Sequence, residues 1–230
     1  MEIGKAFTFI LQDKRWFTKL LLGWLVSIVP ILNFAWAGYL VKTLRNVEEN
    51  LAEPLAEWDD FGEKFVQGFY LFLAGLVYSL PALLIASFTV FPALLTSGGE
   101  WNDTIGTIMA VTGSVVGCLL LIYVLALTIF FPAMYINLAR KGSLGSCFQI
   151  GEFFRIMSRN AGNYFLAWLM SIVWAVVIGV VGGLLIGLIA WIPCVGWIIG
   201  FVGGGLLTVA ISVVWAHLFG QVAAKDMVAA

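Results

Sequence analysis

Four stretches of this chain are too long and too apolar to be folded anywhere but in a bilayer. Residues 65–95, 105–137, 163–190 and 191–218 each run for about 20 residues or more with hardly a charge, the length that ~30 Å of hydrocarbon asks of a helix. A backbone in lipid must satisfy its own hydrogen bonds, which makes such segments helical. Of 230 residues, 62% are hydrophobic and 11% charged, against about 25% charged in soluble domains. The expectation is an all-α, polytopic transmembrane helical bundle, a single integral membrane domain over 1–230 with the lipid bilayer as its first partner. A net charge of −1 and the lack of any basic run exclude nucleic acid as a partner. Residues 1–12 are too polar for the apolar core of a signal peptide, so the first apolar segment is expected to stay in the protein.

The charges are distributed unevenly between the two sides. Connection 96–104 holds Glu100 and Asp103 but no Lys or Arg, and turn 191–197 has no charge at all. Lys14, Arg15, Lys42, Arg45, Lys64, Arg140, Lys141, Arg155, Arg159 and Lys225 all fall on the other side. Positive flanks stay cytoplasmic, which predicts that both termini are cytoplasmic.

The segment 17–41 must fit the same rule, although basic residues stand at both its ends. Pro30 cannot donate a helical hydrogen bond and biases Val29 away from helical geometry, while Asn33 is suited to cap a new helix. Two short helices, about 16–29 and 33–47, are expected to fold as a re-entrant or shallow hairpin whose break faces the bundle. A single kinked span is the alternative. The sub-elements are then 1–47 (amphipathic start and short hairpin), 48–63 (acidic cytoplasmic segment), 65–137 (two long spans), 144–159 (interfacial helix) and 163–218 (glycine-rich hairpin). A weak internal echo links the first and last units, each an amphipathic stretch, a helix, a proline-bearing turn and a returning helix.

In the last hairpin Gly179, Gly183 and Gly187 are four apart, as are Gly196, Gly200 and Gly204, with Pro193 between the two sets. Spacing of four places each set on one helix face, where missing side chains permit close approach. Folding at Pro193 is expected to pack the faces together within the chain; packing in a homo-oligomer is the second reading.

Acidic residues concentrate in 48–63. Asp60 and Glu63 have capping-box spacing, which predicts a helix start. The functional reading is an interaction surface of Glu57, Trp58, Asp59, Asp60, Arg155 and Arg159, with the carboxylates bridging to the two arginines or engaging a membrane or cytoplasmic protein. No metal site is expected, because the segment lacks the spaced oxygen ligands of a calcium loop. Cys118, Cys147 and Cys194 have no metal or disulfide spacing. His217 is the only histidine. It has no nucleophile within sequence reach, so no catalytic residue is assigned; its one weak role is as an axial ligand to a haem or pigment, and no cofactor is expected.

The run Pro30-Ile31-Leu32-Asn33-Phe34, then Gly38-Tyr39 and Leu44-Arg45-Asn46, and finally Glu57-Trp58-Asp59-Asp60-Phe61 resembles an uncharacterised family of archaeal and bacterial membrane proteins. Its members carry a Pro-Ile-Leu-Asn-Phe type turn and a Glu-Trp-Asp-Asp-Phe type element; Ala56 here stands where a proline precedes the latter. The resemblance implies a multi-pass protein of a prokaryotic cell membrane and implies no activity. The leading function is a structural or accessory subunit, or scaffold, of a membrane complex. The second is a carrier or binder of a lipid-like or neutral small molecule, the third a single-histidine pigment or haem subunit. An enzyme is the reading the sequence supports least.

Overall fold

A computed structural model describes residues 2–96 and 103–228; the predicted acidic turn with Glu100 lies outside them. The described residues form no strand. They form α1 (Ile3–Gln12), α2 (Trp16–Ile28), α3 (Asn33–Glu48), α4 (Phe61–Thr96), α5 (Asp103–Lys141), a 3₁₀ turn (Leu144–Phe148), α6 (Ile150–Arg159), α7 (Ala161–Ala190) and α8 (Val195–Val228). Among the described residues, four helical stretches are long and apolar enough to cross a membrane: Phe61–Phe88, Gly106–Lys141, Ala161–Ala190 and Val195–Asp226. This is a multi-pass, all-α membrane protein.

The chain divides into two compact units, Phe72–Pro132 and the remainder. In the smaller, α4 and α5 are joined by the Tyr123 hydroxyl, which donates to the Tyr78 carbonyl at 2.7 Å. Leu80, Leu84, Leu121 and Ile122 point outward, as expected of side chains whose solvent is lipid. Hydroxyls here turn onto their own helix: Ser79 donates to the Leu76 carbonyl at 2.7 Å and Ser114 to that of Ala110 at 2.8 Å. That pairing removes the cost of placing them in hydrocarbon.

The larger unit is built on two hairpins. In the first, α2 has 13 residues, or about 20 Å at 1.5 Å per residue, too short to cross. Trp58 shows that the chain folds back: its indole Nε1 donates to the Lys19 carbonyl on α2 at 3.0 Å, and its ring stacks on Tyr39 of α3 at 4.7 Å. Both arms therefore meet one residue at one level. The break differs from expectation in two respects. Asn33 is the first helical residue after the Leu32 cap and supplies no side-chain cap bond. The break is also exposed, at Val29, Ile31 and Leu32. It needs no interior partner because Asn33 N–H reaches the Val29 carbonyl at 2.8 Å and Ala35 N–H that of Leu32 at 2.8 Å.

The α7–α8 hairpin turns in the same way. Gly196 N–H bonds the Ile192 carbonyl at 2.8 Å, so in each turn the carbonyl of the residue before proline accepts a bond from four positions on. Each hairpin is preceded by a 10-residue amphipathic helix, α1 or α6. The expected glycine faces are shifted, however. A Cβ on Gly179, Gly183, Gly187 or Gly204 would meet nothing, and one on Gly200 would make ordinary contact with Ile186. The tight approaches are Gly182 against Leu207, Gly203 against Ile186 at 3.2 Å, and Gly196 against the Ala190 backbone inside the turn.

Glycine matters more at the other helix crossings. A Cβ on Gly38 would overlap the Lys64 carbonyl, and one on Gly68 the Phe34 carbonyl, so α3 and the start of α4 run backbone to backbone. Gly205 makes room for Trp24 of the short hairpin, and Gly220 admits Val47 and Leu44 of α3. Just past Pro132, the Ala133 N–H donates to the Tyr164 hydroxyl on α7 at 3.1 Å.

Candidate functional site at the charged end of the larger unit

Two charge clusters and a cavity lie where helices of the larger unit end. The first cluster fixes the acidic segment. Lys19 and Asp13 are both buried and 2.5 Å apart. The Lys19 ammonium also pairs with Glu57 at 2.9 Å and donates to the Leu55 carbonyl at 3.2 Å, so all three of its donors are used. Arg15 adds a second bond to Glu57 at 2.8 Å. Trp36 fits against Gly23 and stacks on Tyr39 at 5.1 Å, and Tyr39 stacks on Trp58. Asp59 pairs with Lys64 at 3.2 Å. Asp60 is exposed at φ 42°, not in the extended geometry of a capping box.

The second cluster joins four helices. Arg140, at the end of α5, donates from Nε to Glu48 of α3 at 2.6 Å, from Nη1 to Asp226 of α8 at 2.8 Å, and from Nη2 to the Ala223 carbonyl at 3.0 Å. Arg159 of α6 approaches the other Asp226 oxygen at 3.8 Å. Burial pushes the Glu48 carboxyl above its ordinary range, and Arg140 opposes that push.

The predicted interaction surface is thereby divided. Glu57 and Trp58 hold the short hairpin and Asp59 holds α4, while Arg155 pairs with Glu152 of its own helix and Arg159 with Asp226. The expected bridge between the acidic segment and Arg155 or Arg159 is not the pairing formed, because Arg15, Lys19 and Lys64 supply those cations. Sequence reading missed Asp13, Lys19, Glu48, Arg140 and Asp226 as partners. The one visible signal was Asp226, a carboxylate inside an apolar helix. Cys147, beside the 3₁₀ turn's Ser146, is buried, and desolvation pushes its thiol up to about 11.

The cavity, of about 570 Å³, lies between α1, the connection after α3, and the last turns of α8. His217 lines it and is buried, with its ring 4.1 Å from that of Phe9. Gln221 faces the His217 Nδ1 at 3.2 Å and is clamped to the Glu2 backbone, accepting from its N–H at 2.8 Å and donating to its carbonyl at 3.1 Å. The lining is mixed, with Glu2, Lys5 and Gln12 beside Phe9, Val47 and Leu51.

A family model for a protein of unknown function (DUF4013) matches residues 21–187. The chain belongs to that family. No curated protein and no solved structure matches it. The DUF4013 match takes in the Pro30 turn, the aromatic stack, Glu48 and Arg140. It leaves out Lys19, Asp226 and the cavity residues Lys5, His217 and Gln221.

Proposed function

We propose that this chain is an accessory or scaffold subunit of a membrane complex, with its charged end on the cytoplasmic side of a prokaryotic cell membrane. The observation behind this is how little the two long spans of the α7–α8 hairpin are covered: 6% of the most apolar window of α7 and 17% of that of α8 is buried. On α7 the positions of Gly179, Gly183 and Gly187 stand open between exposed Val176, Val180 and Leu184. Small residues among apolar ridges let another helix approach closely, which is how helices associate in lipid. The charges, by contrast, are largely spent on holding this chain's own helix ends, a rigid base for a subunit whose work is to hold others.

Extraction in native lipid discs followed by mass measurement tests the reading. The expected result is a stoichiometric helical partner, or a second copy, lost in Gly183→Leu while the chain itself stays folded. A monodisperse single chain from the same discs contradicts it.

A further inference from the structure

We propose that the cavity between α1 and the end of α8 binds a phosphate monoester bearing a short apolar group. The site is built around His217. Gln221 Oε1 accepts the Glu2 backbone N–H at 2.8 Å, which fixes the amide and turns its NH₂ toward the Glu2 carbonyl and His217 Nδ1. An amide N–H only donates, so Nδ1 is the acceptor and the imidazole proton sits on Nε2. Among the described residues Nε2 has no hydrogen-bond partner, and although the residue as a whole is buried, this atom is not sealed inside the protein and His217 lines the cavity. A donor that no protein group uses and that faces the cavity is free to bond a ligand acceptor there.

The rest of the lining favours an anion. Lys5 and Lys225 stand against a single carboxylate, Glu2, which is exposed and 3.4 Å from Lys5. The acceptor of Gln221 is already occupied by Glu2. Two ammonium groups and one N–H are the donors this lining offers to the three free oxygens of a phosphate monoester dianion, with the exposed Lys5 exchanging Glu2 for the ligand. Phosphate alone would leave most of the space unfilled, since 570 Å³ lies in the range of pockets for whole small molecules, roughly 300–1,000 Å³. Phe9, Val47 and Leu51 offer the remaining wall to an apolar substituent. The phosphate could come from a lipid headgroup or from a soluble ester, and the chemistry at His217 is the same for both.

His217 supplies its own reporter, because any imidazole signal from the chain belongs to it. The full chain, labelled with ¹⁵N-histidine and purified through a tag without histidine, is placed in phosphatidylcholine nanodiscs and titrated with octyl phosphate, inorganic phosphate and the neutral octyl glucoside. Octyl phosphate should shift the His217 signal saturably. Inorganic phosphate should bind about tenfold more weakly, and Lys5→Gln with Lys225→Gln should weaken octyl phosphate by about tenfold with melting unchanged. Discs containing phosphatidic acid distinguish the sources: a shift there assigns the headgroup, a shift with octyl phosphate only assigns a soluble ester, and each supports the site. A signal that no phosphate moves, or that octyl glucoside moves equally, or that ignores the loss of both lysines, overturns it.

Discussion

Arg140 is the residue on which most of the charged end depends, because one guanidinium satisfies Glu48, Asp226 and the Ala223 carbonyl. Removing one member of a buried pair strands the other, at a cost of about 3–5 kcal/mol. Arg140→Gln should therefore lower the melting temperature in detergent far more than Glu48→Gln, which keeps the shape and removes a charge that burial already disfavours. Acidity adds a second test. The Glu48 carboxyl is raised in the folded state, so the native chain holds that proton to higher pH than the unfolded chain does. The stabilisation is complete below the ordinary carboxylate range and is lost as pH rises through the raised value. As pH rises from the ordinary carboxylate range through the raised value, the wild-type melting temperature should fall relative to that of Glu48→Gln; parallel curves would refute this account of Glu48. None of these pairings was legible in the sequence. Arg140, Glu48 and Asp226 are brought together from three helices, and local charge rules place a lysine or arginine at a membrane edge without naming its partner. The lone His217 was legible as a residue, but its clamp by Gln221 depends on the return of α1 to the end of α8.

At the scale of elements, spacing predicted breaks better than contacts. Pro30 interrupts a helix for reasons internal to one or two residues, and α2 and α3 begin and end within a residue of expectation. The glycine faces were misplaced because spacing of four identifies a face but not what meets it. On α7 the row with Gly182 reaches Leu207, and the neighbouring row with Gly179 and Gly183 stays open. The glycines under most constraint, Gly38 and Gly68, carry no repeat to mark them. Gly38→Ala and Gly68→Ala each press a methyl group into a facing carbonyl and should destabilise the purified chain by about 1–3 kcal/mol or more. Gly183→Ala should leave the melting temperature of the monomer unchanged in the same assay. Equal losses at all three positions would mean that the α3–α4 approach is not backbone to backbone.

For the whole molecule, the long spans were readable because lipid imposes one rule on every residue in them. The way the short N-terminal hairpin joins them was less so, since 17–41 is long enough for a kinked crossing. Trp58 decides it by touching Lys19 and Tyr39 together, and the Glu2–Gln221 clamp places the start of the chain beside the end of α8. The central claim is that 17–41 enters and leaves on one face, so that α1, the acidic segment and the end of α8 share a side while the Pro193 turn lies on the other. A cysteine-free chain carrying single cysteines at Lys5, Glu53, Cys194 or Lys225, labelled with a membrane-impermeant maleimide in intact and opened membranes, tests it most directly. Positions 5, 53 and 225 should react only after opening and position 194 before it. Position 5 reacting from the side opposite position 53 would contradict the claim and make 17–41 a crossing.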